Sequence, residues 1–412
     1  MSLSVFSLML VVFSLTTGEF VIAGILPEVA SDLSVTITAA GLLVTAYAAG
    51  MIIGGPVITV LTARLPRRPL IAGLLLVSIA ANLGSTVASD YAVLLVTRFG
   101  AGLVVATFFA VAIAITVSTA PPGKQGSAVA KVALGMNLGI VLGTPAGTFI
   151  GQNLGWRVTF AAVAAFTTLA MLLVLRFVPA RPAVATGSVL SELRVLGNRG
   201  VQSAIALTVL GNVGVVMVFS YIAPLLTGVS EFPAASVPVL LLVYGGGAVV
   251  GNFLGGWLSD RALMPSLIGL LTVLAGALAL FWVAGGVQAL AAVLVFVIGV
   301  LAFAVIPGMQ TRVMSTASTA PTLAVAVNAS GFQLAAAFAG WLGGRLIDSD
   351  LGPSSLYLAG SLLTLTGLVV AVRSRRGDGR LADTGDPHDR AGSGPPDQDG
   401  APGKRFPGAP LA

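Results

Sequence analysis

The sequence predicts an all-α integral membrane protein, with twelve transmembrane helices in two six-helix halves and both ends in the cytoplasm. Three observations carry that prediction. The 412 residues are 56% apolar and only 9% charged, with a mean hydropathy of +1.00, whereas soluble domains carry about a quarter charged residues. Apolar stretches of the roughly 20 residues needed to cross a bilayer core recur twelve times along the chain. A single polar interval divides them six and six.

The stretches lie near 4–26, 38–60, 69–88, 92–117, 127–150, 157–178, 201–226, 236–258, 263–284, 289–310, 321–344 and 353–373. Each is read as a helix, because a helix satisfies its own backbone hydrogen bonds in lipid. Residues 1–178 form the N-terminal half and 201–373 the C-terminal half. Between them 179–200, with Pro179, Pro182, Glu192, Arg194 and Arg199, reads as a cytoplasmic linker. From 374 to 412 the composition turns to Gly, Pro, Asp and Arg, the signature of a disordered cytoplasmic tail. The first stretch lacks a basic leader, is too long for a signal core and is followed by no small-residue cleavage site, so it is expected to remain as a span.

Basic residues set the orientation. With the N-terminus inside, fourteen fall at cytoplasmic ends: Arg64, Arg67, Arg68, Lys124, Lys131, Arg176, Arg181, Arg194, Arg199, Arg261, Arg312, Arg373, Arg375 and Arg376. Only Arg157 and Arg345 fall outside. The same distribution accounts for the net charge of +6 by the membrane surface, without a nucleic-acid partner. Zero cysteines and a single histidine, His388 in the polar tail, exclude disulfide scaffolds, thiolate metal sites and a Ser-His-Asp triad. Gly123-Lys124-Gln125 lacks the first glycine and the hydroxyl of a phosphate-binding loop. No cofactor or metal is expected.

Two charges lie inside predicted spans, and such charges mark ion and proton pathways. Glu19 is the only acid there, in Thr16-Thr17-Gly18-Glu19-Phe20; Arg98 sits in Val96-Thr97-Arg98-Phe99-Gly100. At 1.5 Å per residue both come out about 6 Å to the outer side of the midplane, so they are expected to face one another. Glu28 and Asp32, at the outer mouth of span 1, are the next acids in line.

The fifth span carries Gly135, Gly139, Gly143 and Gly147 four residues apart, with Pro145 among them. Glycines at that interval make a bare face for close helix packing, and proline distorts the helix locally. The Gly-x-x-x-Gly-x-Pro combination resembles the antiporter motif of drug exporters in the major facilitator superfamily. Gly256-Trp-Leu-Ser-Asp260-Arg261 resembles the signature loop of that superfamily in its second-half copy. The first-half copy keeps the basic cluster Arg64, Arg67 and Arg68 but has Ala63 where the family usually has aspartate. Arg98 is similar to the family's buried helix-4 arginine. The stretches Thr17–Ala30, Leu43–Gly54 and Phe219–Pro224 resemble twelve-span drug:proton antiporters, and more narrowly actinobacterial chloramphenicol-resistance exporters and arabinose-efflux-like permeases.

The resemblance, over about 1–373, implies the major facilitator fold in a bacterial inner (plasma) membrane. It implies a monomer that exchanges protons for a small, largely apolar drug, chloramphenicol-like at best, by alternating access within the lipid bilayer. Glu19 and Arg98 would couple proton and substrate. The loop residues Arg64, Arg67, Arg68, Gly256, Asp260 and Arg261 would govern switching. Export of a sugar or nucleoside metabolite is the alternative within transport, and a non-transporting receptor on the same fold the alternative outside it.

Overall fold

The computed structural model describes residues 2–62, 64–121, 124–178, 199–316 and 321–383, with side chains for all of these except 321–327 and 377–383. Most of the expected linker (179–198), Ala63 and residues 384–412 of the expected tail lie outside the described residues. Among the described residues the secondary structure is all helical.

The N-terminal half comprises α1 (Leu3–Phe20), α2 (Leu26–Asp32), α3 (Ile37–Thr62), α4 (Arg67–Thr86), α5 (Tyr91–Thr119), α6 (Gln125–Leu138), α7 (Thr144–Leu154) and α8 (Trp156–Phe177). The C-terminal half comprises α9 (Arg199–Ser220), α10 (Ile222–Gly228), α11 (Val237–Ala284), α12 (Gln288–Thr316), α13 (Pro321–Ile347) and α14 (Ser355–Asp383). Three boundaries depart from the apolar pattern, each for a local reason. The first apolar stretch is not one helix: α1 ends at Phe20, a 3₁₀ turn covers Val21–Ala23, and α2 restarts with Pro27 in its first turn, since proline disfavours a helical residue before it. Ahead of Pro145 the fifth span loosens into a π turn at Gly139–Gly143. The last helix continues to Asp383, past the expected end at 373.

The long run α11 is interrupted at Ala262 (φ −157°, ψ 82°), with Pro265 just beyond. Asp260 and Arg261 therefore sit at the break between its two arms. Along the outside, Val57, Leu61, Phe253, Trp257 and Val283 are exposed, an apolar surface that lipid rather than water can cover.

The two halves are built alike, and glycine contacts make the repeat visible. In the first, a Cβ on Gly50 would meet the Phe99 carbonyl, one on Gly54 the Leu103 carbonyl and one on Gly102 the Tyr47 carbonyl. In the second, Gly247 meets Phe296, Gly251 meets Val300 and Gly299 meets Tyr244 in the same way. Every pair is related by one constant offset along the chain, as are Pro27 and Pro224. These glycines let backbone touch backbone, so α3 crosses α5, and the first arm of α11 crosses α12, at closest approach.

The halves meet along α3–α13 and α7–α11. Hydrogen bonds join them at the end carrying α2: Thr38 Oγ1 donates to Gly344 O at 2.7 Å, Thr45 Oγ1 to Ala337 O at 2.9 Å and Gln152 Nε2 to Ala234 O at 3.1 Å. Deeper, Asn252 donates to Asn137 at 2.7 Å. Among the described residues no hydrogen bond joins the halves at the end carrying Arg64–Arg68 and Asp260.

Candidate functional site

A narrow cleft lies between the halves, lined by Glu19, Phe20, Val44, Tyr47, Val216, Phe219, Ser220, Phe332 and Gln333 among others. Its walls come from α1 and α3 on one side and α9 and α13 on the other. Phe20 and Phe219 meet across it edge to face, centroids 5.7 Å apart. An apolar, aromatic chamber with a few polar atoms is the usual form of a small-molecule site.

Glu19 reaches this wall because of how α1 is gripped. The glycine face of α6 and α7 lies against it: a Cβ on Gly139 would come 2.8 Å from Thr16 Cβ, and one on Gly147 would come 2.6 Å from Val21 Cγ2. The other flank is tied to α8 by Ser14 and Thr167, 2.7 Å between hydroxyls. With these two faces committed, Glu19 is left half-buried and turned toward the cavity.

Arg98 is fully buried, yet its guanidinium does not hold the Glu19 carboxylate. Nη1 donates to the Gly18 carbonyl at 2.8 Å and Nη2 to the Glu19 carbonyl at 3.4 Å. Because α1 stops at Phe20, these are last-turn carbonyls without helical partners, at the end where a cation is favoured. The Tyr47 ring lies 4.5 Å and the Phe160 ring 5.5 Å from the guanidinium carbon. Sequence depth therefore placed the two residues side by side, but their contact runs through the backbone of α1. The carboxylate is met from the opposite half: Gln333 Nε2 donates to Glu19 Oε1 at 3.0 Å. Gln333 Oε1 is buried without a hydrogen-bond partner.

Gln333 and Tyr47 are the site residues that sequence reading did not single out. Neutral side chains give no charge signal, although an amide within an apolar span is itself a polar residue in lipid. The fallback acids are engaged elsewhere. Asp32 pairs with Arg157 at 2.5 Å and accepts from Trp156 Nε1 at 3.1 Å; these hydrogen bonds hold its carboxyl below the ordinary aspartate range. Burial raises the Glu28 carboxyl above its ordinary range, and neither residue lines the cavity.

At the loop positions expected to face the cytoplasm, Arg67 donates to Ala114 O at 3.1 Å and Ser118 Oγ at 3.3 Å, and Arg68 to Leu175 O. Asp260 is exposed, and Arg261 lies 3.7 Å over the Trp257 ring. Among the described residues none of Arg64, Arg67, Arg68, Asp260 or Arg261 forms an ion pair. Gly256 has open space around it.

The Major Facilitator Superfamily matches this chain over residues 8–322. Among curated relatives, Inner membrane transport protein YdhP of Escherichia coli (strain K12) is 35% identical over 365 residues, 88% of this chain and 94% of that protein. The Chloramphenicol resistance protein of Streptomyces lividans is 34% identical, covering 90% and 96%. Among solved structures, a mutant of the nucleoside transporter NupG superposes with a TM-score of 0.76 at 9% identity, covering 90% of this chain and 99% of that one, a likeness of fold alone. The chain belongs to the Major Facilitator Superfamily and is a multi-pass membrane transporter, not an enzyme.

Proposed function

We propose that this transporter exports a small, largely apolar drug from a bacterial cell in exchange for protons, with Glu19 carrying the proton. The observation that carries the reading is the Glu19 carboxyl: an acid on the wall of a cavity between two halves, hydrogen-bonded to the opposite half. An acid so placed links protonation to the contact that holds the halves together, which proton coupling requires. The aromatic chamber suits a compact apolar compound, and similarity to a chloramphenicol resistance protein makes chloramphenicol the first compound to try.

Twelve spans with both ends inside are part of the proposal. Ten stretches of the described residues are long and apolar enough to cross; the one at Ala234–Ala284, 51 residues long, has room for two crossings. With α13 that supports twelve. On this orientation the hydrogen bonds of Thr38, Thr45 and Gln152 that join the halves lie toward the outer end. Rocking about the midplane would carry the cavity to the other side. A proton moving down about 150 mV supplies roughly 3.4 kcal/mol, enough for about a 300-fold drug gradient before any pH difference is added.

The deciding experiment is accumulation of chloramphenicol, with nucleoside and sugar candidates in parallel, in a pump-deficient host of measured proton gradient. Wild-type protein is expected to lower drug accumulation below equilibrium. Glu19→Gln keeps size and hydrogen bonding but cannot titrate, and is expected to abolish uphill export. Uphill export by Glu19→Gln at the wild-type rate, with proton coupling unchanged, would place the carrier elsewhere.

A further inference from the structure

Gln333 on α13 is 7% exposed, lines the cavity and spends its Nε2 on the Glu19 carboxylate, while its Oε1 has no partner. A buried amide oxygen left unpaired is costly and rarely kept without a use. Two donors within reach of this wall could satisfy it. One is an N–H or O–H group of a substrate in the cavity that Gln333 lines, reached when the amide, whose Oε1 is closed off in the described conformation, turns toward it. The other is the O–H of Glu19 itself once that carboxyl takes a proton, since a half-turn of the amide about its last torsion exchanges oxygen for nitrogen at the carboxyl.

We propose that Gln333 Oε1 is a single acceptor for which the Glu19 proton and a donor group of the substrate compete. With Glu19 ionised, Nε2 holds the carboxylate and the oxygen is left for the substrate. With Glu19 protonated, the amide turns, its oxygen accepts from the acid, and the substrate loses its polar anchor. The two ligands exclude one another, which is the coupling an antiporter needs. The substrate class follows: a compact molecule with an apolar or aromatic body against Phe20, Phe219 and Phe332 and at least one hydroxyl or amide N–H. Ligands with acceptors only would be rejected, because they leave the oxygen unpaired.

The inference rests on Glu19 being the titrating group. The other charged or titratable groups facing it are Arg98 from α5 and Tyr47 from α3; α9 and α13 bring no charged side chain to the cavity wall, and Ser220 and Gln333 are their polar groups there.

The test uses full-length protein and the isosteric variant Gln333→Met, which offers neither donor nor acceptor. Infrared difference spectra between acid and alkaline pH read the Glu19 carboxyl directly, its band being identified by loss in Glu19→Gln. The band is expected to shift in Gln333→Met, and an unshifted band would overturn the proposal without any transport measurement. Chloramphenicol, as the probe, is expected to bind wild type about tenfold more weakly at acid pH. In Gln333→Met the alkaline affinity should fall about tenfold and the pH dependence disappear. Retention of the wild-type pH dependence by Gln333→Met would also overturn it. Failure of the underlying transport reading has a separate signature, uphill export by Glu19→Gln.

Discussion

A guanidinium withdrawn from water inside an apolar bundle must have its charge and its five N–H groups answered. At Arg98 the answer is the open end of α1 and two aromatic faces, with Nε left without a partner. The arginine therefore caps the open end of α1, and through that holds the position of Glu19, rather than neutralising the acid directly. This separates two substitutions that simple charge pairing would treat alike. Arg98→Lys keeps the cation but cannot span two carbonyls with a planar fork, so export is expected to fall about tenfold or more. Arg98→Ala leaves the Gly18 and Glu19 carbonyls buried and unpaired, at about 1–3 kcal/mol each, and is expected to be destabilised as well. Initial rates of drug export, alongside thermal unfolding of the purified variants, would check both. Full activity in Arg98→Lys would show that charge alone suffices.

At the scale of the helix, the glycine row of the fifth span acts as a rail for α1 and the turn that follows it. Gly135, Gly139, Gly143, Gly147 and Gly151 face Met9, Thr16, Thr17, Val21 and Ile25 in turn. Gly139→Val is expected to push α1 away, lowering stability by about 1–3 kcal/mol as overpacking does and reducing export with it. Gly276→Val, where nothing lies within 4 Å of the added carbon, is expected to leave both unchanged. Thermal unfolding and export of the two variants provide the measurement. That rail was legible in the sequence because its four-residue interval is a helix period. The break at Phe20 was not: the apolar run continues through Val21–Leu26, and only Pro27 hints that the helix has stopped. Depth along two spans brought Arg98 to Glu19, since rise per residue is fixed. It could not say which atoms meet, and it could not find Gln333, whose contact depends on how α13 packs against the other half.

Over the whole molecule, the repeat that relates Tyr47 to Tyr244 and Gly102 to Gly299 places Val216 opposite Glu19 and Val295 opposite Arg98. The fold is doubled, while its intramembrane charges are confined to one half. The second half contributes an uncharged wall whose polar groups are Ser220 and Gln333, and a second apolar cleft with Val295 and Tyr244 in its lining. In the proposed mechanism, then, the N-terminal half carries the proton and the interface with α13 reports it. Motion must be concentrated at the seals between halves, and the α2 end supplies a test. Thr38 on α3 and Gly344 on α13 are close enough that a Cβ on Gly344 would lie 3.1 Å from Thr38 Cα. The chain contains no cysteine, so Thr38→Cys with Gly344→Cys introduces the only thiols. Oxidation is expected to join them in high yield and to stop export, because the end that must open to release drug is locked shut. Reduction should restore it. Drug binding from the opposite side should survive the crosslink, since the described residues form no hydrogen bond between the halves at that end. If the oxidised protein exports at the reduced rate, the α3–α13 contact is not a gate, and alternation must proceed by opening between α7 and α11 instead.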